Sequence, residues 1–299
     1  MPEDVSFSII VPTYNRGHLL KQTLQSALLL DYDHYEIIVV DDGSTDNTEE
    51  IMRGFSNDKV RYYKKQNEER AAARNFGVAQ AKGDYVCFLD SDDFLYPHHL
   101  NTARDYILQH QQPEVFHLNY DFVDEHKNII RRGEEFVGED AINQRIIKGN
   151  CLSCNGVFIR KDIALSYPFN TDRALSASED YELWLRLASR FIIGYSNVIT
   201  SSILSHDERS VVTLSKEKMI ARINKLIQYA FADKLNKKVY ADKLTLFQSQ
   251  CMLYLSLHLA IAKERTASLQ YLFATIKLRP FAVFDRRFLG IMKTLIVNI

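Results

Sequence analysis

A parallel three-layer α/β sheet followed by a purely helical tail is the fold class that this chain of 299 residues predicts. Three observations carry it. Short apolar runs alternate with stretches of helical periodicity across residues 7–93, as they do in strand-helix-strand units whose strands are buried on both faces. Polar or acidic residues close these runs, at Pro12–Asn15, Asp41-Asp42 and Asp90–Asp93, which is the carboxyl edge where such sheets hold ligands. From Ser215 onward only helical spacing is left.

The elements follow in order. Phe7–Pro12 reads as a buried strand closed by proline, and Arg16–Leu30 has apolar residues at helical spacing. Tyr35–Val40 is a second strand. The glycine and short polar residues of Asp41–Asp46 make a turn, and Asp46 can cap a helix running to about Gly54. A short strand at Val60–Tyr63 precedes a helix over Glu68–Ala81, stopped by Gly83. Tyr85–Leu89 is the central strand. The middle predicts helices at Pro97–His110, Glu139–Lys148 and Glu179–Ser189, with strands near Val115–Tyr120, Ile129–Phe136, Leu152–Arg160 and Thr200–Leu204, the last delivering His206. In the tail, Met219, Ile220, Ile223, Leu226, Ile227, Ala230 and Phe231 share one helical face, and Tyr240, Leu244, Phe247, Cys251, Leu255 and Leu259 another. The division therefore falls between residues 1–212 and 213–299.

Hydrophobic residues at 46% and charged residues at 25% describe an ordinary globular chain, not a disordered or fibrous one. The net charge of -1 hides an asymmetry: residues 1–214 hold 22 Lys and Arg against 33 Asp and Glu, and the rest holds 15 against 5. An acidic head suits a metal, and nucleic acid is not an expected partner. A basic tail invites anionic ones. Four cysteines, with no basic start leading to a small-residue cleavage site and no run of about eighteen apolar residues, lead to the expectation of a reducing, cytoplasmic setting. Cys151 and Cys154 have metal or redox spacing but lack a second pair, so buried thiols are the simpler reading.

Chemistry concentrates after the central strand, where Asp90, Asp92 and Asp93 fall within four positions. Carboxylates this close repel unless a cation joins them. Asp90 and Asp92 project the same way in an extended segment, and Asp93 points elsewhere. An acidic turn leading into a helix cap is the plainer alternative.

Together the loops resemble one family, the inverting nucleotide-sugar-dependent glycosyltransferases of family two, with the GT-A fold. The carrying motifs are V-P-T-Y-N-R at 11–16, V-V-D-D-G-S-T-D at 39–46, A-A-A-R-N-x-G at 71–77, F-L-D-S-D-D at 88–93 and S-E-D-Y-E-L-W-L-R-L at 178–187, with His206 after the last strand. The resemblance covers roughly residues 5–210 and implies a Rossmann-like, mostly parallel sheet flanked by helices, with the tail as a helical appendage. It implies that Pro12, Thr13, Tyr14 and Asn15, with one or both of Asp41 and Asp42, clasp the nucleoside, that Arg74 contacts the nucleotide or its diphosphate, and that Asp90 and Ser91 belong to the donor site. Asp92 and His206 would ligate Mn2+ or Mg2+. The family commonly has an arginine or aromatic before that histidine, whereas Leu204-Ser205 stand here. Asp180 resembles the general base, with a reference pKa of about 3.9 that makes it a weak one.

Ser153, Asn155, Glu179 and Trp184 are expected nearer the acceptor, a saccharide or a lipid-linked one. Absence of a Q-x-x-R-W motif favours addition of one sugar per encounter. The apolar, basic segment Phe281–Ile299 is compatible with lying on an anionic membrane at the cytoplasmic face, or with packing on the catalytic part or on a second copy as a homodimer. Two other functions fit the residues less well: a nucleotide-sugar-binding protein without turnover, and a phosphatase with an aspartyl nucleophile, which wants a small residue where Phe94 stands. A dinucleotide site lacks its G-x-G-x-x-G.

Overall fold

The computed structural model describes residues 5–55, 57–205 and 215–297. Strands β1 (Phe7–Thr13), β2 (Tyr35–Asp41), β3 (Val60–Lys64) and β4 (Tyr85–Phe88) are all parallel and lie in the order β3-β2-β1-β4. The sheet then continues through β5 (Phe94–Leu95), β6 (Val115–Val123), β7 (Ile129–Arg132), β8 (Val157–Arg160) and β9 (Gly194–Leu204). β8 joins β4 antiparallel, β6 joins β8 antiparallel, β9 runs parallel to β6, and β5 closes the edge against β9. β7 pairs with the far end of β6.

The side-chain period of two makes the layers. Ile9, Val11, Ile37, Val39, Cys87 and Leu89 face one side, where helices α1 (Gly17–Leu28) and, later in the chain, His99–Gln109 bring Leu20, Leu24, Leu100 and Ile107. Ile10, Ile38, Val40, Val86 and Phe88 face the other, covered among others by Glu69–Gln80 and Glu179–Ala188. In chain order the helices of this part are α1, α2 (Thr48–Arg53), α3 (Glu69–Gln80), α4 (His99–Gln109), α5 (Ala141–Arg145), α6 (Lys161–Ser166) and α7 (Glu179–Ala188).

The expected strand over Leu152–Arg160 forms only from Val157, because Cys154–Gly156 is a 3-10 turn. Ser153 Oγ accepts from Gly156 N at 3.1 Å and bends the chain there. The expected cap at Asp46 is displaced by one residue: Asn47 precedes α2, while Asp46 accepts from Thr48 N (3.0 Å) and, across the loop, from Gly17 N (3.1 Å). One carboxylate thus serves the first amides of two helices.

The tail consists of α8 (Lys216–Ala232), α9 (Lys234–Val239), α10 (Leu244–Ile261), α11 (Arg265–Leu278) and α12 (Arg286–Val297). Its apolar face joins the same core as α7: Ile223, Leu226, Phe247, Cys251 and Leu255 lie in one cluster with Leu183, Trp184 and Leu187. Arg190 pairs with Asp233 at 2.8 Å, and Tyr229 donates to Asp172 at 2.9 Å. The tail packs on the first part of its own chain. By length and composition α10 could cross a membrane, but 56% of it is buried, as a core helix would be.

Gly77 shows how tightly α3 lies on β1, since a Cβ there would stand 2.4 Å from Ile10 Cγ2. Gly77→Ala is expected to lower stability by about 1–3 kcal/mol through overpacking, read as a reduced denaturant midpoint; an unchanged midpoint would mean that the helix can shift outward freely.

Candidate active site

A cleft of about 680 Å³ opens at the carboxyl ends of β1, β2 and β4 and runs past the start of α7 to the tail helices. The loop after β1 places Pro12, Thr13 and Tyr14 in its wall, with Tyr14 half exposed. Asn15 is turned away from it. At φ 52° its N–H donates to Ser44 Oγ (2.9 Å) and its Oδ1 accepts from Thr45 N (2.8 Å), so it clasps the β1 and β2 loops together. Of the two aspartates after β2, Asp42 lines the cleft, held by Lys65 at 2.8 Å and the N–H of Glu68 at 3.0 Å. Asp41 is wholly buried; it accepts from Ser44 N (2.7 Å) and from the Tyr62 hydroxyl (2.6 Å). Asp41 is therefore an internal brace for the turn.

After β4, Asp90, Ser91 and Asp92 all line the cleft. Asp93 points back into the sheet, where it accepts from Asn155 Nδ2 (2.8 Å) and Leu204 N (2.9 Å). Burial, then the charges of Asp92 and Asp90, push its carboxyl well above the usual range, which identifies it as a fold-holding group. Arg16 pairs with Asp92. Arg74, 2% exposed, donates from one nitrogen to Asp90 Oδ1 (2.7 Å) and from another to Glu179 Oε1 (2.8 Å). Both terminal nitrogens of this guanidinium meet protein carboxylates, so Arg74, itself in the cleft lining, fixes Asp90 and Glu179. Burial opposes ionisation of Asp90, but Arg74 and Arg70 outweigh it and hold the carboxyl below its ordinary value.

Asp180, in the first turn of α7, is recessed in the same cleft. Its Oδ2 accepts from Asn150 Nδ2 at 3.0 Å and its Oδ1 from Tyr181 N at 2.7 Å. Burial, and next the neighbouring Glu179, push its pKa up to about 6 against the opposing pull of Arg74. In this environment the carboxylate is a stronger base than the reference side chain.

Of the residues expected near the acceptor, Ser153, Asn155 and Glu179 line the cleft and Trp184 does not. Trp184 is completely buried, edge-on to Phe169 at 6.0 Å, and does not reach the cleft. Glu179 is buried against Arg74. Asn155 braces the loop after β4, with its Oδ1 accepting from Asp90 N at 3.1 Å, and Ser153 turns its hydroxyl to Gly156. Cys151 and Cys154 are buried free thiols, the first pushed up to about 12 by burial. Sequence reasoning missed Asn150, which holds Asp180, and the tail residues Gln250, Tyr254 and Arg287 in the wall.

For a divalent cation, Asp90 and Asp92 supply hard oxygens on one loop, the donor chemistry that Mg2+ and Mn2+ accept alongside phosphate oxygens. Among the described residues no three His, Cys, Asp or Glu side chains converge on one point. His206 lies outside the described residues.

Residues 8–164 match the profile of Glycosyl transferase family 2. A glycosyltransferase of Rickettsia bellii is 29% identical over 199 residues, 64% of this chain and 27% of that protein. Glycosyltransferase GlyG of Streptococcus pneumoniae is 34% identical over 145 residues, 47% of this chain and 48% of its own length. The chain thus spans about a quarter to a half of these relatives. Among solved structures, TarS of S. aureus in complex with UDP-GlcNAc superposes with a TM-score of 0.68 at 20% identity, covering 91% of this chain and 81% of that one. Mannosyltransferase PcManGT of Pyrobaculum calidifontis, in complex with GDP-Man and Mn2+, gives 0.58 at 17%, covering 98% and 87%. These two likenesses establish the GT-A fold.

A carboxyl raised in the folded state keeps its proton where the unfolded chain has lost it, so its contribution weakens stability as pH rises from about 4 to about 6. Asp180→Asn removes that burden and is expected to stabilise the protein by on the order of 1–3 kcal/mol at pH 7.5, with the gain vanishing near pH 4. Denaturant midpoints at the two pH values check this; a variant less stable at pH 7.5 would contradict it.

Proposed function

The chain belongs to glycosyltransferase family 2, and from that membership we propose an inverting enzyme that moves one sugar from a nucleoside-diphosphate sugar, UDP-linked foremost, to an acceptor hydroxyl in polysaccharide or glycoconjugate assembly. The observation that supports it most directly is that Asp180, a carboxyl raised to about 6, shares one cleft with Asp90 and Asp92. Related folds hold UDP-GlcNAc in one case and GDP-Man with Mn2+ in another.

In this reading Thr13, Tyr14 and Asp42 hold the nucleoside, a carboxylate suiting an N–H donor or ribose hydroxyls. Asp90 and Asp92, joined by His206, would hold Mg2+ or Mn2+, whose charge offsets that gathering on the departing diphosphate. Asn150 orients Asp180, and Arg74 keeps Asp90 ionised and Glu179 out of the way. The acceptor hydroxyl gives its proton to Asp180 as its oxygen attacks the anomeric carbon from the face opposite the diphosphate, and attack from behind inverts that centre. A base near pKa 6 takes a proton more readily than an ordinary carboxylate while staying ionised at neutral pH.

A thermal-shift and hydrolysis panel of UDP- and GDP-sugars with Mn2+ identifies the donor. Asp180→Asn is expected to reduce transfer at least about a hundredfold while calorimetry finds nucleotide binding intact. Wild-type kcat/KM should rise with pH through about 6 and then level off, as the base of the free enzyme loses its proton. Transfer undiminished in the variant would remove Asp180 from the reaction.

A further inference from the structure

The two ends of the cleft differ in how their cations are neutralised. At the strand tips Arg16 pairs with Asp92, and Arg74 with Asp90 and Glu179. Away from the strand tips the wall is built partly by α10, α12 and β7, and three arginines in it or beside it meet no carboxylate among the described residues. Arg287 lines the cleft and donates only to neutral oxygens, Lys148 O at 3.1 Å and Gln250 Oε1 at 3.0 Å. Arg131 lines it from β7 and lies over the Phe122 ring at 3.7 Å. Arg222, 2% exposed, reaches Ala177 O at 3.4 Å and lies 5.8 Å from the ring of Tyr254, a cleft residue, with Nε and one Nη unpartnered.

Arg287 sits close to the base, and Arg222 reaches the carbonyl three residues before it. Arg287 lies against Gly149, where a Cβ would come 2.8 Å from its Nη2, and the next residue is Asn150, whose amide holds Asp180. Burial, then the fields of Arg222 and Arg287, lower the pKa of the His258 imidazole on α10. Arg222 is withdrawn from water without a counter-ion, which is unfavourable, and with the partly buried Arg287 and the exposed Arg131 on the cleft wall it favours an anion within the cleft. A planar guanidinium also matches the oxygens of a phosphate two at a time.

We propose that the end of the cleft beside Asp180 is an acceptor subsite for a phosphate-bearing group, bound by Arg287 and Arg131 and favoured by the field of the buried Arg222. This rests on the transferase reading, since the molecule that meets the base is the acceptor. The phosphate can come from a soluble polyol or sugar phosphate or from a lipid headgroup, and the chemistry at the arginines is the same.

Glycerol 3-phosphate, glycerol, and vesicles of phosphatidylcholine with and without phosphatidylglycerol serve as probes, with UDP and Mn2+ at saturation so that the donor site is filled. Glycerol 3-phosphate is expected to bind and glycerol not to. Arg287→Gln and Arg131→Gln should each weaken it roughly tenfold with UDP affinity unchanged, and Arg287→Lys should restore part of the loss. Arg131 is on the exposed strand β7, so its variant reads the site even where Arg287→Gln fails to fold. Vesicle binding that needs phosphatidylglycerol and both arginines assigns the phosphate to a lipid; binding of the soluble probe alone assigns it to a free acceptor. No binding of either probe, or binding indifferent to both substitutions, overturns the subsite. Failure of UDP and GDP to bind would sink the transferase reading separately, and the same phosphate titrations without nucleotide would still test the two arginines.

Discussion

A single buried guanidinium ties the molecule's two functional halves together. Arg74 joins Asp90 at the end of β4 to Glu179 at the start of α7, two carboxylates that lie on segments far apart in sequence. A buried charge is costly unless it is paired, and removing either partner leaves an uncompensated ion. The arrangement therefore fixes the distance between the acidic loop after β4 and the helix that carries Asp180. The alanines Ala71 and Ala73 before Arg74 are buried against the core, which lets α3 sit low enough on the sheet for the side chain to reach both. Phe169 covers the guanidinium at 5.3 Å and completes its desolvation.

Much of this was legible in the sequence because it is local. The β1–β4 strands and α1 and α3 follow from runs and periods of a few residues, and the loops at their ends carry the family's motifs. What could not be read is which of two neighbouring residues turns inward. Asp41 and Asp42 are equivalent in a motif, yet only the structure shows Tyr62 taking one and the cleft the other. Trp184 has the periodicity of a helix face that borders a site and is in fact core. Partners chosen over a hundred positions away, as Glu179 is by Arg74, leave no trace in local pattern. Nor does Asn150, a lone amide after a glycine, whose importance comes from the carboxylate it meets.

The charge asymmetry along the chain acquires a spatial meaning. The acidic head and the basic tail meet around one cleft, so the negative groups gather at the strand tips, and Arg287 comes in from the tail helices. A tail that shares its apolar face with α7 in one core is a wall of the site as much as an appendage. Part of the cleft wall is thus supplied by helices that the motifs do not describe.

The strand order has a bearing on how the protein is made. β5 follows the loop of Asp90–Asp93 immediately but pairs only with β9, and Asp93 accepts from Leu204, made more than a hundred residues later. A chain emerging from the ribosome can assemble β1 to β4 early, from contacts of short range. Its acidic loop can meet Arg16 and Arg74 at once and Asn155 later, but the bond from Leu204 N to Asp93 forms only after Leu204 has left the exit tunnel. The edge that carries Asp90–Asp93 is therefore completed only by a segment made more than a hundred residues after the loop itself.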